Sequence, residues 1–161
     1  MRQRSFNKFA TVLFVLAVFI TSQALSQENK NLRIYESPEQ MVAAAKEVIT
    51  EIPVEDFKNI YTRDDIYIID VRTAAEHNEG AVPGAVNIPR GVLEFRIGLE
   101  ESWKTAGKNP PEKGDPVIVY CSSGSRGALS AKALMQLGYE NVRSVKGGWG
   151  AWNEAYPEIK E

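Results

Sequence analysis

The stretch Pro116-Val117-Ile118-Val119-Tyr120 is apolar at every position. A strand of that kind has no wet face, so it must lie in the middle of a sheet that is covered on both sides, the arrangement of parallel sheets. Ile66-Tyr67-Ile68-Ile69, ending at Asp70, reads the same way, and Ala85-Val86-Asn87-Ile88 and Val142 to Val145 read as shorter strands. Helical segments alternate with them. Ser37-Pro38-Glu39-Gln40 is a helix start, with serine as the cap, proline at the first position and glutamine where it can close a capping box. Met41, Val42, Ala45, Val48 and Ile49 then recur at helical spacing. Ile52-Pro53 ends this helix and opens a short strand, and Val54 to Tyr61 forms a second short helix. Gly91 to Trp103 is expected to be helical despite Gly98. Ser125 to Leu137 is a helix stopped by Gly138, and Gly147-Gly148 turns the chain into a last helix with Trp149 and Trp152. The pattern predicts an α/β fold with a mostly parallel central sheet, helices on both of its faces and an extra helix at the N-terminal side.

The first 26 residues do not fit that pattern. Arg2, Arg4 and Lys8 make a basic start, Phe9 to Ile20 is an uncharged and mostly apolar run, and Thr21-Ser22-Gln23-Ala24-Leu25-Ser26 is small and polar. This is the order of a secretory signal peptide, with cleavage expected after Ala24 or Ser26. The apolar run has 12 residues, against about 20 for a membrane-spanning helix. The expected organisation is a signal peptide over 1–26, a linker and extra helix over 27–50, and one domain over 51–157, with the mature chain exported, periplasmic or secreted, and without a membrane span. The whole chain has 19 Lys+Arg and 21 Asp+Glu; the leader takes three basic residues and no acidic one, leaving 16 against 21, a net −5. That balance argues against a nucleic-acid partner.

One cysteine, Cys121, is present in a chain bound for an oxidising compartment. It has no internal partner, so it is a pairing site, a reactive thiol or a small buried apolar side chain. Its surroundings favour the second. Cys121-Ser122-Ser123-Gly124-Ser125-Arg126-Gly127 joins a buried strand to a helix, and sites in open α/β sheets form beyond the carboxyl ends of the strands. The helix start directs N–H groups and the positive end of its dipole at the loop, which stabilises an anion there. Small side chains let the backbone curl tightly, and Gly124 can take a left-handed conformation. Arg126 adds a fixed positive charge whose fork can hold an oxyanion.

The single histidine, His77, stands in the charged stretch Glu76-His77-Asn78-Glu79 and is expected on a solvated helix face. Chemistry that depends on Cys–His or Ser–His pairs has only that residue to draw on. The count of Cys and His leaves no metal-ligand cluster, and no nucleotide-binding fingerprint follows any strand, so no metal and no cofactor are expected. Sulfur exchange onto a thiolate needs neither, since a thiolate attacks and an anion leaves.

At these residues the chain resembles the rhodanese domain of thiosulfate sulfurtransferases. Ile69-Asp70-Val71-Arg72 is similar to the family's Asp-Val-Arg after a strand, and Glu76 through Pro89 to its Glu-x-x-x-Gly-His-Ile-Pro-Gly-Ala stretch. Cys121 through Arg126 matches its six-residue active loop, and Val145 through Trp149 its closing Gly-Gly-Trp. The likeness covers roughly residues 50–157. It implies a persulfide carried on Cys121, with the N–H groups of Ser122, Ser123, Gly124, Ser125 and Arg126 holding the outer sulfur. It implies further that Arg126 steadies the loop and the anionic donor, and that Asp70 and Arg72 support the loop from the neighbouring strand. Asp70 read by itself is equally an ordinary turn cap. The implied partners are a small-molecule sulfur donor and acceptor, or a protein that takes the sulfur. Ala81-Val82 stands where the family has His-Ile, and the loop holds no second cation. Two other readings stand beside this one: a carrier or binding module serving one protein partner, and a Cys-dependent phosphatase. Phosphatase loops of this type place five residues between Cys and Arg, whereas four separate Cys121 from Arg126.

Overall fold

Along the central strand, successive side chains point to opposite faces, and both faces are dry. Val117, Val119 and Cys121 join one buried cluster, and Ile118 and Tyr120 join the other. The computed structural model describes residues 32–160, and the compact unit begins at Ser37. The expected leader lies outside the described residues.

The strands are β1 (Thr50–Ile52), β2 (Tyr67–Asp70), β3 (Val86–Asn87), β4 (Pro116–Tyr120) and β5 (Asn141–Val145). They form one sheet in the order β1-β5-β4-β2-β3, with every neighbouring pair parallel. The helices are α1 (Pro38–Lys46), α2 (Val54–Lys58), α3 (Ala74–Asn78), α4 (Leu93–Arg96), α5 (Glu100–Trp103), α6 (Ser125–Gln136) and α7 (Gly148–Ala155). Leu93, Ile97, Trp103, Ala131 and Leu134 cover the face of Val117 and Val119. Phe57 of α2 and Trp152 of α7 cover the face of Ile118 and Tyr120. Truncating one of these fully buried side chains to alanine removes about 2–5 kcal/mol of stability in proteins generally, so the two layers hold the sheet rigidly beneath the loops at its edge.

Because all strands run the same way, their carboxyl ends share one edge. Register places Asp70 of β2 opposite Tyr120 of β4 and opposite Asn87 of β3. The turn after β2, the loop after β4 and the turn after β5 therefore meet.

Three helices differ from the sequence expectation. The single helix expected over Gly91–Trp103 is a 3₁₀ turn over Arg90–Val92 followed by the separate short helices α4 and α5. Gly98 lowers helical preference at the break. The Trp103 indole N–H also donates to the Ile97 carbonyl at 2.7 Å, which takes that oxygen out of the helical ladder. The helix expected to reach Tyr61 ends at Lys58, and the chain continues in three-residue turns such as Ile60 N–H to Phe57 C=O. The N-terminal helix starts as expected, with the Ser37 hydroxyl accepting from the Gln40 N–H at 3.3 Å and Pro38 in the first turn, but it ends at Lys46 and not at Ile52-Pro53: Thr50–Ile52 pairs with β5 as a strand, and of the expected apolar positions Ala45 is buried while Met41 and Val48 are exposed.

Candidate active site

Cys121 directly follows β4 and is 1% exposed. Three residues on, Gly124 has φ 96° and caps α6, a left-handed conformation that costs glycine little. This bend turns the Gly124 N–H back onto the Cys121 Sγ at 3.2 Å. The first N–H groups of a helix have no partner within it, so those at the start of α6 are without helical partners next to this loop. Ser123 and Ser125 are exposed on the rim, while Ser122 and Arg126 are half-buried.

The loop is held from two sides. From α7, the Trp149 N–H donates to the Cys121 carbonyl at 2.7 Å and the Gly150 N–H to the Ser122 carbonyl at 2.8 Å. The donors that open α7 are thus spent on the cysteine loop. The approach is so close that a β-carbon on Gly148 would overlap the Cys121 carbonyl oxygen. Gly148 also has φ 60°.

From the other side comes Glu76, which the sequence placed in a charged stretch and at the head of the Glu76–Pro89 resemblance but not in the site. It closes a capping box on α3: the Thr73 hydroxyl accepts from the Glu76 N–H, and the Glu76 carboxylate accepts from the Thr73 N–H at 2.9 Å. The same carboxylate takes both arms of Arg126, at 2.9 and 2.6 Å, and the Ser122 hydroxyl at 2.7 Å. Arg126 also donates to the Ser122 hydroxyl at 3.0 Å. Its fork therefore rests on Glu76. The Arg126 guanidinium, then the Ser122 hydroxyl and the Thr73 amide, hold the Glu76 carboxyl well below the usual carboxylate range. Thr-x-x-Glu before a helix is a capping signature, and Thr73-Ala74-Ala75-Glu76 carries it in the sequence, a signal the sequence analysis did not use.

Asp70 is fully buried. Its carboxylate accepts from the Arg72 amide at 3.0 Å and from the Arg72 guanidinium at 2.6 to 3.0 Å. The Asp70 carboxylate on the Arg72 N–H is the turn cap that Asp70 read by itself offers. Burial opposes the Arg72 charge, and Asp70 beside it more than restores it. The guanidinium also donates to the Gly80 carbonyl at 2.7 Å and lies 5.5 Å from the Tyr120 ring centre and 4.8 Å from that of Trp149. Asp70 and Arg72 therefore brace Trp149, whose N–H holds the Cys121 carbonyl. Burial, followed by Asp70, pushes the Tyr120 hydroxyl far up; its oxygen accepts the Val82 N–H at 3.1 Å. His77 departs from expectation. It is not fully solvated: its side chain is 22% exposed, and Nδ1 lies 2.9 Å from Asp70. One helical turn carries Glu76 to the cysteine loop and His77 to the buried aspartate.

A buried thiol at the end of a central parallel strand, under a helix N-terminus and inside a six-residue loop, defines a class of covalent acceptor sites on α/β sheets. The rhodanese-like domain family matches residues 53–155, and the chain belongs to it. The chain is 37% identical over 101 residues to a rhodanese domain-containing protein of Drosophila melanogaster, covering 61% of this chain and 91% of the relative. It is 30% identical over 106 residues to a sulfurtransferase of Allochromatium vinosum, covering 65% and 89%. Among solved structures, the human single-domain sulfurtransferase TSTD1 superposes with a TM-score of 0.58 at 25% identity, covering 65% of this chain and 95% of that one. A Rhodopseudomonas palustris protein of unknown function, described as a possible tyrosine phosphatase, superposes with a TM-score of 0.63 at 26% identity, covering 79% and 96%. Relatives named as sulfurtransferases, together with the family match, support sulfur transfer as the general activity; one relative is named as a sulfur carrier protein.

Proposed function

We propose that the protein moves a sulfane sulfur from an anionic donor such as thiosulfate to a thiophilic acceptor by way of a persulfide on Cys121. The observation that carries this reading is the Gly124 N–H on the Cys121 Sγ at 3.2 Å, at the base of a loop whose remaining donors come from a helix start. The Cys121 thiolate attacks the outer sulfur of thiosulfate. A new S–S bond forms, the S–S bond of the donor breaks, and sulfite leaves with the electron pair. The resulting persulfide is an anion, which suits the same N–H groups. A nucleophile such as cyanide then attacks the outer sulfur, and Cys121 leaves as the thiolate. Arg126 steadies the loop through Glu76 and lends positive charge to the mouth. The order of residues 1–26 supports export before this chemistry takes place.

Phosphatase activity is the second reading, favoured by the likeness to the Rhodopseudomonas palustris protein. The four-residue spacing from Cys121 to Arg126 and the engagement of the Arg126 fork by Glu76 speak for the smaller sulfur group. Intact mass after thiosulfate treatment should show one added sulfur on the peptide containing Cys121, removable by cyanide as thiocyanate. Cys121→Ser should stay folded and give neither adduct nor thiocyanate. Thiocyanate production by that variant, or faster hydrolysis of an aryl phosphate than consumption of thiosulfate by the wild type, would overturn the reading.

A further inference from the structure

An anionic donor needs positive charge at the mouth of the site, and the resemblance gave that part to Arg126. In the structure both arms of Arg126 rest on the Glu76 carboxylate, at 2.9 and 2.6 Å. Other cations on the turns at the carboxyl edge of the sheet are committed in the same way. Arg72, after β2, is buried on Asp70, and Arg90, after β3, is 2.8 Å from Glu94. The turn after β1 brings no cation before Lys58, which lies over the Tyr61 and Tyr156 rings. The turn after β5 differs. It carries Lys146, which is exposed and, among the described residues, has no carboxylate at ion-pair distance.

Lys146 stands beside the cysteine loop. Its N–H donates to the Ile52 carbonyl at 2.9 Å, which ties the turn to the end of β1. Its two peptide neighbours face Gly124: the Val145 carbonyl oxygen and the Gly147 nitrogen are 3.6 and 3.3 Å from where a β-carbon on Gly124 would stand. Gly124 is the residue whose N–H reaches the Cys121 Sγ at 3.2 Å. These contacts put the Lys146 backbone on the order of 10 Å from the sulfur. The root of the side chain is therefore fixed, while the ammonium rides on a flexible four-carbon stem. Glu39, which lines a groove with Ser125, adds an exposed negative charge to the rim. The Arg126 charge is offset by Glu76, so the positive charge left to meet an anion here is that of Lys146.

We propose that Lys146 recruits the anionic sulfur donor and sets a preference for donors of higher charge. The proposal deepens the persulfide reading above and rests on it. The ammonium draws the oxygen-bearing end of thiosulfate to the rim beside Gly124, and the outer sulfur is left to meet Cys121. Lys146 takes no part in the bonds that form and break, so its effect falls on donor binding. Coulomb energy scales with the product of the charges, so the factor gained by a dianion is the square of that gained by a monoanion in the same place.

Steady-state kinetics with cyanide as acceptor test this, using thiosulfate as the dianionic donor and benzenethiosulfonate as the monoanionic one. In Lys146→Gln the KM for thiosulfate should rise about fivefold and that for benzenethiosulfonate about twofold, with kcat for both within about twofold of wild type. Lys146→Arg should restore the KM for thiosulfate. The rise in Lys146→Gln should shrink below about twofold at about 0.5 M salt, where screening acts over a few ångströms. Lys113→Gln removes the same charge from an exposed position just before β4, at the opposite edge of the sheet, and should leave both KM values unchanged. An unchanged KM for thiosulfate in Lys146→Gln, an equal rise for the two donors, or an equal rise in Lys113→Gln would overturn the recruiting role and leave the persulfide reading standing. Wild-type protein that forms neither thiocyanate nor a Cys121 adduct would overturn the persulfide reading itself, and the role of Lys146 with it.

Discussion

Glu76 joins residues 46 and 50 positions away in sequence to its own helix cap. Because its carboxyl is held below the usual range by Arg126 first, the sign of its pH dependence is fixed. The stabilisation is fully present above the ordinary carboxylate value and is lost only as pH falls through the lowered one. Glu76→Gln should therefore lower the melting temperature by about 2–4 °C at neutral pH, and the gap to wild type should close as pH drops below about 4. A gap that widens in acid would show that Glu76 does not act as the charged partner of Arg126. Asp70 acts at a drier position. Asp70→Ala leaves the Arg72 charge buried and unpaired, which should cost about 3–5 kcal/mol. Asp70→Ala with Arg72→Leu should recover part of that loss in urea unfolding. Equal stability of the single and double variants would show that the cost is not that of a stranded charge. The sequence made Cys121, its loop and Asp70 legible, since strand ends and small-residue loops are local patterns. The tie between His77 and Asp70 was not legible, because it depends on how α3 is aimed back at β2.

The elements that position the site were read with unequal success for a physical reason. β4 is apolar throughout and β2 is apolar up to Asp70, so their place inside the sheet follows from composition. The break between α4 and α5 combines the low helical preference of Gly98, which is legible in sequence, with one indole N–H finding the Ile97 carbonyl, which is not. The turn after β5 is intermediate. Gly147-Gly148-Trp149 reads as a structural turn in sequence, but its role as a clamp on the Cys121 carbonyl appears only when β4 and β5 lie side by side. Gly148→Ala should force that clamp open, since the added carbon overlaps the carbonyl and φ 60° strains any L side chain. Persulfide formation should fall at least about tenfold, with a loss of stability on the order of 1–3 kcal/mol. Wild-type rates of adduct formation in a folded Gly148→Ala protein would show that the loop does not depend on α7.

At the scale of the whole molecule, one thiol has to survive wherever the chain works. Among the described residues no helix is long and apolar enough to cross a membrane, and we propose that residues 1–26 direct export and are removed after Ala24 or Ser26. An exposed lone thiol in an oxidising compartment would pair with that of a second copy. Cys121 is 1% exposed and sits below the rim of its loop, so two copies cannot bring their sulfur atoms to the roughly 2 Å of a disulfide without opening both loops. A small anion faces no such barrier. Protein recovered from the exported fraction should therefore begin near residue 25 or 27, run as a monomer on a non-reducing gel, and still accept sulfur from thiosulfate without prior reduction. N-terminal sequencing, non-reducing electrophoresis and intact mass read these three properties on one preparation. Intact Met1 on membrane-bound protein would refute export with cleavage. A disulfide-linked dimer that needs reduction before it accepts sulfur would refute the protection of Cys121 by its loop, whatever the compartment.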